Sequence, residues 1–256
     1  MPEGDPMRTS RAKDPMRTPG AGTSVVGSWT MVAMSDRPRI RVLTNGPYVV
    51  RGGVPVARTA QVETEYGEPV DWEPLEPLAP EDAQHYELCR CGRSKKKPFC
   101  DDTHETRVFD GTETADHAPR AARAFSFEGD GVVMTDDRSL CTQAGYCGDR
   151  FTNVWRMIAE TSDPAIRERL QHMVSLCPSG RIDWAPDADS DPVEPPFEPS
   201  VAVVRDGPLW VRGRIPVTGA DGKRYEVRNR VALCRCGHSE NKPFCDGSHK
   251  EVGFTG

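Results

Sequence analysis

Two stretches concentrate the chemistry of this chain: "CRCGRSKKKPFCDDTH" (89–104) and "CRCGHSENKPFCDGSH" (234–249). Each spaces three thiols and one imidazole as C-x-C-x8-C-x3-H: Cys89, Cys91, Cys100 and His104, then Cys234, Cys236, Cys245 and His249. Over the 17 positions that start at Leu88 and at Leu233 the copies share 12 identities, all four candidate ligands included. A bent C-x-C segment lets both sulfurs reach one metal, and a Pro-fixed loop then returns to a Cys and a His. Their i, i+4 spacing predicts that Cys100 and His104, like Cys245 and His249, share a helix face. Asp246 and Gly247 suit the turn into that helix, whose backbone N–H groups can stabilise anionic sulfur. Two metals meet such a donor set. Zinc accepts Cys3His ligation, although its structural sites favour wider Cys-Cys knuckles. A two-iron cluster uses the same four donors, two per iron, with inorganic sulfide completing each tetrahedron. Spacing alone leaves both open.

Three further cysteines, Cys141, Cys147 and Cys177, stand between the copies as C-x5-C followed by Cys-Pro. Small buried thiols in a helical hairpin would look the same. The basic run "RSKKKP" (93–98) reads as a solvated loop. His85, His117 and His172 read as ordinary surface or helix residues, His238 matches no ligand position, and Trp155 and Trp184 read as core fillers. No Ser-His-Asp set, phosphate loop or paired-carboxylate site stands out, which argues against an enzyme.

The elements that must position these side chains are short. "GPYVVRGGVPV" (46–56) matches "GPLWVRGRIPV" (207–217), and each precedes its own cysteine cluster. "IRVL", "YVVR", "VAVV" and "LWVR" predict brief strands in tight hairpins, one small β unit used twice. The first copy carries about 16 extra residues, "YGEPVDWEPLEPLAPED", whose acidic and Pro-rich character predicts a surface loop. Between the copies "AFSF" and "VVMT" predict a strand pair, and "FTNVWRMIAE" a helix. "DPAIRERLQHMVSLC" predicts a second helix with Ile166, Leu170, Met173, Val174 and Cys177 on one face and Pro164 in its first turn. The chain thus divides into a tail at 1–36, disordered by composition and holding "DPMRT" twice, a first repeat at 37–113, a three-cysteine segment at 114–184, an acidic Pro-rich linker at 185–200 and a second repeat at 201–256. Translation from Met34 would remove the tail.

Composition narrows the classes. Only 36% of the 256 residues are hydrophobic, while Gly and Pro number 23 each, which favours small turn-rich units over one large core. A net charge of -6 offers no basic face for nucleic acid. The apolar-leaning "SVVGSWTMVAM" falls short of the roughly 20 residues needed to cross a bilayer. Nine cysteines, tightly spaced with interleaved His, suit metal in a reducing compartment better than a secreted disulfide framework. A soluble cytoplasmic protein is expected, with neither membrane nor nucleic acid among its partners.

The second stretch resembles the signature of the CDGSH iron-sulfur (NEET, mitoNEET-like) family, over its whole length. That resemblance implies a 2Fe-2S cluster on Cys234, Cys236, Cys245 and His249, and a second on Cys89, Cys91, Cys100 and His104. The first copy departs at Asp102 and Thr103, where the signature has Gly and Ser. Members with tandem motifs resemble the family's homodimer folded into one chain, so an α+β fold is expected, with two β-rich units paired as a pseudo-dimer within a monomer. The middle segment resembles divergent single-cluster ferredoxins in which the central Cys of C-x2-C-x2-C is replaced, here by Ala144. Cys141, Cys147 and Cys177 would then hold a 3Fe-4S or a 4Fe-4S cluster, three thiolates matching the former. The resemblance implies electron transfer to protein redox partners, or cluster transfer to apo-proteins. Its single His implies a more positive potential. It also implies acid lability near the ordinary imidazole pKa of about 6.5. A zinc-stabilised adaptor is the rival reading.

Overall fold

The computed structural model describes residues 37–256, so the expected tail and the alternative start at Met34 lie outside the described residues. The first repeat contributes β1 (Arg39–Val42), β2 (Tyr48–Arg51), β3 (Val56–Glu63), β4 (Pro69–Leu78), β5 (His85–Leu88) and a one-turn helix α1 (Thr103–Thr106). The middle segment follows with β6 (Phe125–Gly129), β7 (Val132–Asp136), the short helix α2 (Val154–Met157), α3 (Pro164–Ser175) and β8 (Ile182–Ala185). The second repeat holds β9 (Ser200–Val204), β10 (Leu209–Arg212), β11 (Val217–Thr218), β12 (Arg230–Leu233) and α4 (Ser248–Glu251).

The repeats exchange strands. One sheet runs β11-β1-β2-β5 and the other β12-β10-β9-β3-β4, so each takes its parallel pair from the opposite repeat. Ile40 pairs with Val217 and Val56 with Val201; in the matched numbering of the copies these are one pairing seen from both sides. β-branched side chains from both sheets, Ile40, Val50, Val56, Val201, Val211 and Val217 among them, then fill a single buried core. Units of this size bury little surface alone, and exchange gives both the same interior. The expected pseudo-dimer is present.

The extra residues of the first copy are not the surface loop that composition predicts. They form the ten-residue strand β4 on the edge of the second sheet, paired antiparallel with β3. An edge strand leaves one side of its ladder free, and so admits the missing N–H of Pro69, Pro74 and Pro77. β4 and β3 also hold the middle segment. Trp72 Nε1 donates to Leu176 O at 3.0 Å, Tyr146 Oη to Asp71 O at 2.7 Å, and Gln61 Nε2 to Ala144 O at 2.6 Å.

The middle segment has its own sheet, β6-β7-β8, covered by α2 and α3. Asp163 caps α3 by accepting from Ala165 N, and Pro164 occupies its first turn as expected. Leu170 and Val174 are fully buried against Met134, Val154 and Ile182, while Ile166, Met173, Cys177, Trp155 and Trp184 flank that core. Among the described residues no helix is long and apolar enough to cross a membrane.

Candidate metal centres

Each C-x-C pair leaves the end of a strand, half-buried β5 or fully buried β12, whose last residue bridges to Phe99 or Phe244 across the cluster loop. The sulfurs of Cys89 and Cys91 lie 3.8 Å apart, and those of Cys234 and Cys236 3.6 Å. Cys100 Sγ is 3.5 Å from His104 Nδ1, and Cys245 Sγ 3.3 Å from His249 Nδ1. Two thiolates on one tetrahedral metal stand about 3.8 Å apart, and a thiolate and imidazole about 3.6 Å, given metal–sulfur and metal–nitrogen bonds of about 2.3 and 2.0 Å. All four pairs match the edge of a coordination tetrahedron. In the second repeat, no three of the four donors lie within 4.8 Å of one another. The pairs are two separate edges.

The Cys-His pairing arises differently from the sequence expectation. α1 and α4 begin only at Thr103 and Ser248, so Cys100 and Cys245 precede their helices and share no helix face with the histidines. A left-handed residue, Asp102 at φ 60° or Gly247 at φ 95°, turns the chain so that each Cys meets its His. The N–H groups of those two residues point at the sulfurs, the anion support expected there.

Hydrogen bonding sets the charge of each thiol pair. The Cys91 thiol, helped by backbone N–H groups of residues 92–94, pulls Cys89 down to about 6 against its burial. Cys236, with the N–H groups of Gly237 and Ser239, does the same for Cys234. The partners Cys91 and Cys236 are pushed up, chiefly by giving that hydrogen bond. Burial lifts Cys100 to about 11 and raises Cys245 further. It also pulls the His249 imidazole down to about 4, aided by the charges of Lys250 and Arg235. The metal-free His249 imidazole therefore resists protonation more than an exposed one, because its charged form is poorly hydrated.

Between the cysteines of each C-R-C lies an arginine, and both are fully buried. Arg235 donates to the carbonyls of Val204, Gly207 and Gly256, each at 2.7 Å; Arg90 donates to Leu43 O and Gly111 O. Arg90 Nε and Arg235 Nη1 have no hydrogen-bond partner among the described residues. Burial, with the charge of Arg58, lowers Arg235 to about 10, opposed by the negative charge of Cys89 in the other repeat and of Asp206. A buried guanidinium facing carbonyls wants an anion. A thiolate-bound iron-sulfur group supplies one, so the residues present fit it. The Phe and Gly that follow each motif serve this arginine: Phe109 and Phe254 lie under the guanidinium planes, and Gly111 and Gly256 accept from them. Phe and Gly recur at equal offsets from His104 and His249, which marks these positions in the sequence without revealing that role.

The two repeats also touch at their cysteine turns. A Cβ on Gly237 would stand 2.8 Å from Cys91 O, and one on Gly92 would strike Cys236 O. Only glycine permits that approach.

The three middle cysteines line one cavity of about 140 Å³, together with Thr142, Ala144 and Ile182. Arg181 Nη1 donates to Cys141 Sγ at 2.9 Å, while its Nε and Nη2 hold Asp136 at 2.7 and 3.0 Å. Burial raises the Cys147 thiol, against the lowering effect of the nearby Arg181 charge. Their segment leans on the second repeat. Lys250 Nζ donates to Gln143 O at 2.6 Å, and Asn241 Nδ2 to Ser139 O at 2.7 Å. Of the other residues weighed from sequence, His85, His172 and His238 are exposed, and His117 is exposed while stacking on Tyr225.

Comparison with known families places an iron-sulfur protein on this geometry. Residues 45–105 and 206–250 match the family model of the iron-binding zinc finger, CDGSH type, and residues 127–186 match that of the divergent 4Fe-4S mono-cluster. No curated protein and no solved structure matches the chain. The chain thus carries two CDGSH-type iron-binding domains in tandem around a divergent 4Fe-4S mono-cluster segment.

Proposed function

We propose that the chain is a cytoplasmic carrier, not an enzyme, with a 2Fe-2S cluster in each repeat. Cys89 and Cys91 hold one iron and Cys100 and His104 the other; Cys234 with Cys236 and Cys245 with His249 do likewise. The observation that carries this reading is the separation of the second repeat's donors into two tetrahedral edges that do not converge. A single zinc ion needs all its donors within about 4 Å of one another. Cys141, Cys147 and Cys177 hold a 3Fe-4S or 4Fe-4S cluster in their shared cavity, and three thiolates suit the former. When bound, these groups accept and release single electrons. The protein's residues fix the donors, supply N–H groups and buried arginines that offset anionic sulfur, and cover the second site more than the first. The carrier serves protein redox partners, or apo-proteins that accept a cluster.

The test is anaerobic purification with iron and acid-labile sulfide counts and EPR of oxidised and reduced samples. A coloured protein with sulfide and distinct signals from the repeats and the middle segment is expected. Colourless protein containing zinc and no sulfide would sink the proposal in favour of a zinc-stabilised adaptor.

A further inference from the structure

Between its Cys and His ligands the first repeat departs from the second at Asp102 and Thr103, and the first of these changes the chemistry. Asp102 stands where the second repeat has Gly247, and its Oδ1 lies 3.8 Å from Cys100 Sγ. Donor atoms of Cys100, Asp102 and His104 all fall within 4.8 Å of one another, the one such set of three among the described residues. A thiolate and a carboxylate oxygen on one tetrahedral metal stand about 3.6 Å apart. Asp102 thus occupies ligand range of the same metal that Cys100 and His104 would share. The left-handed backbone at Asp102, φ 60°, is one that Asp tolerates better than most residues. A cavity of about 620 Å³ beside Cys100 is lined by Glu81, Asp82, Glu87, Asp101 and Asp102, with Lys96 as a countercharge. Its field favours a cation.

We propose that Asp102 is a reserve ligand for the iron that Cys100 and His104 would share in the first repeat, taking the place of His104 when that imidazole leaves. The inference rests on the iron-sulfur reading of that repeat. The exchange is redox-neutral: one metal–nitrogen bond breaks, one metal–oxygen bond forms, and the cluster keeps its iron. Oxygen donors suit iron, as the use of carboxylates at non-haem sites shows. The second repeat has no such donor, because Gly247 carries no side chain and Gln143 fills the space above it.

The experiment counts iron and acid-labile sulfide per chain in anaerobically purified full-length variants. His249→Ala is expected to lose its repeat's iron and so sets the size of a one-repeat loss. His104→Ala is expected to keep the first repeat's iron, with a shifted visible spectrum. His104→Ala/Asp102→Gly should lose it, in a step equal to that of His249→Ala. Asp102→Gly alone, which restores the second repeat's residue, should keep full iron and serves as the folding control. Loss in His104→Ala, retention in the double variant, retention in His249→Ala, or loss in Asp102→Gly alone would each overturn the assignment. Wild-type protein without sulfide would instead remove the iron-sulfur reading on which it rests.

Discussion

Gln143 of the middle segment and Gly247 of the second repeat claim the same space: a Cβ built on Gly247 would lie 2.5 Å from Gln143 Cγ. The contact breaks the pseudo-symmetry of the strand-exchanged core. In the first repeat the matching Asp102 is exposed, with Cys100 and His104 half-buried; in the second, Cys245 and His249 are buried. The insertion therefore gives two nearly identical ligand sets different access to solvent.

Gly247→Asp, which copies the first repeat into the second, should be destabilising by about 1–3 kcal/mol through overpacking against Gln143. Gln143→Gly should relieve it, since Gln143 itself adopts a positive φ of 56° that glycine accepts. Thermal unfolding of both single variants and the double should show strong coupling. Additive losses would mean that the contact is not the cause.

Arg235 links metal content to stability. With anionic sulfur ligands in place its buried charge is offset; after chelation that offset shrinks to what Cys89 and Asp206 supply beside the carbonyl dipoles. An uncompensated buried charge costs on the order of 3–5 kcal/mol. Chelated wild type should unfold at a markedly lower temperature than the loaded form, and Arg235→Met should narrow that gap. Equal gaps in the two proteins would refute the electrostatic account.

Arg181 and Asp136 make a stability prediction for the middle segment. Asp136 is fully buried and bound by Arg181 through two nitrogens, so Arg181→Met leaves its carboxylate to Trp155 Nε1 and the longer pair with exposed Arg138, and should cost about 3 kcal/mol. Asp136→Asn in the same chain should recover much of the loss. The same change removes an N–H donor from Cys141 Sγ, which should lower the potential of a cluster bound there. Calorimetry and redox titration of the two variants check both halves.

The ligand sets, the repeat and the three-cysteine segment are legible in the sequence because coordination demands particular residue types at short spacing. The strand exchange is implied only through family resemblance, since a four-residue strand such as "IRVL" carries no mark of the repeat it will pair with. β4 misleads because proline and acidic residues argue for a loop, and only its place on a sheet edge, set by tertiary pairing, makes them tolerable. The shared helix face expected for Cys245 and His249 fails for a local reason: Gly247 in the left-handed region delays the helix to Ser248. The asymmetry between the repeats depends on where the middle segment lands. Nothing within either motif encodes that.

His249 supplies the pH dependence. In the cluster-free chain its imidazole is held down at about 4 by burial and by the charges of Lys250 and Arg235, with Asp246 opposing them. In the unfolded chain it titrates near 6.5. Between those values the unfolded state binds a proton that the folded state refuses, so stability falls as pH falls. The contribution is intact above about pH 6.5 and exhausted near pH 4. Unfolding temperatures of the chelated protein should decline across that window, and His249→Gln, which cannot titrate, should flatten the curve. Parallel curves would show that other groups control acid stability. In the loaded protein His249→Cys exchanges a neutral ligand for a thiolate. It should lower that cluster's potential and slow its loss in acid, read from decay of the visible band; decay at the wild-type rate would remove His249 as the acid-sensitive ligand.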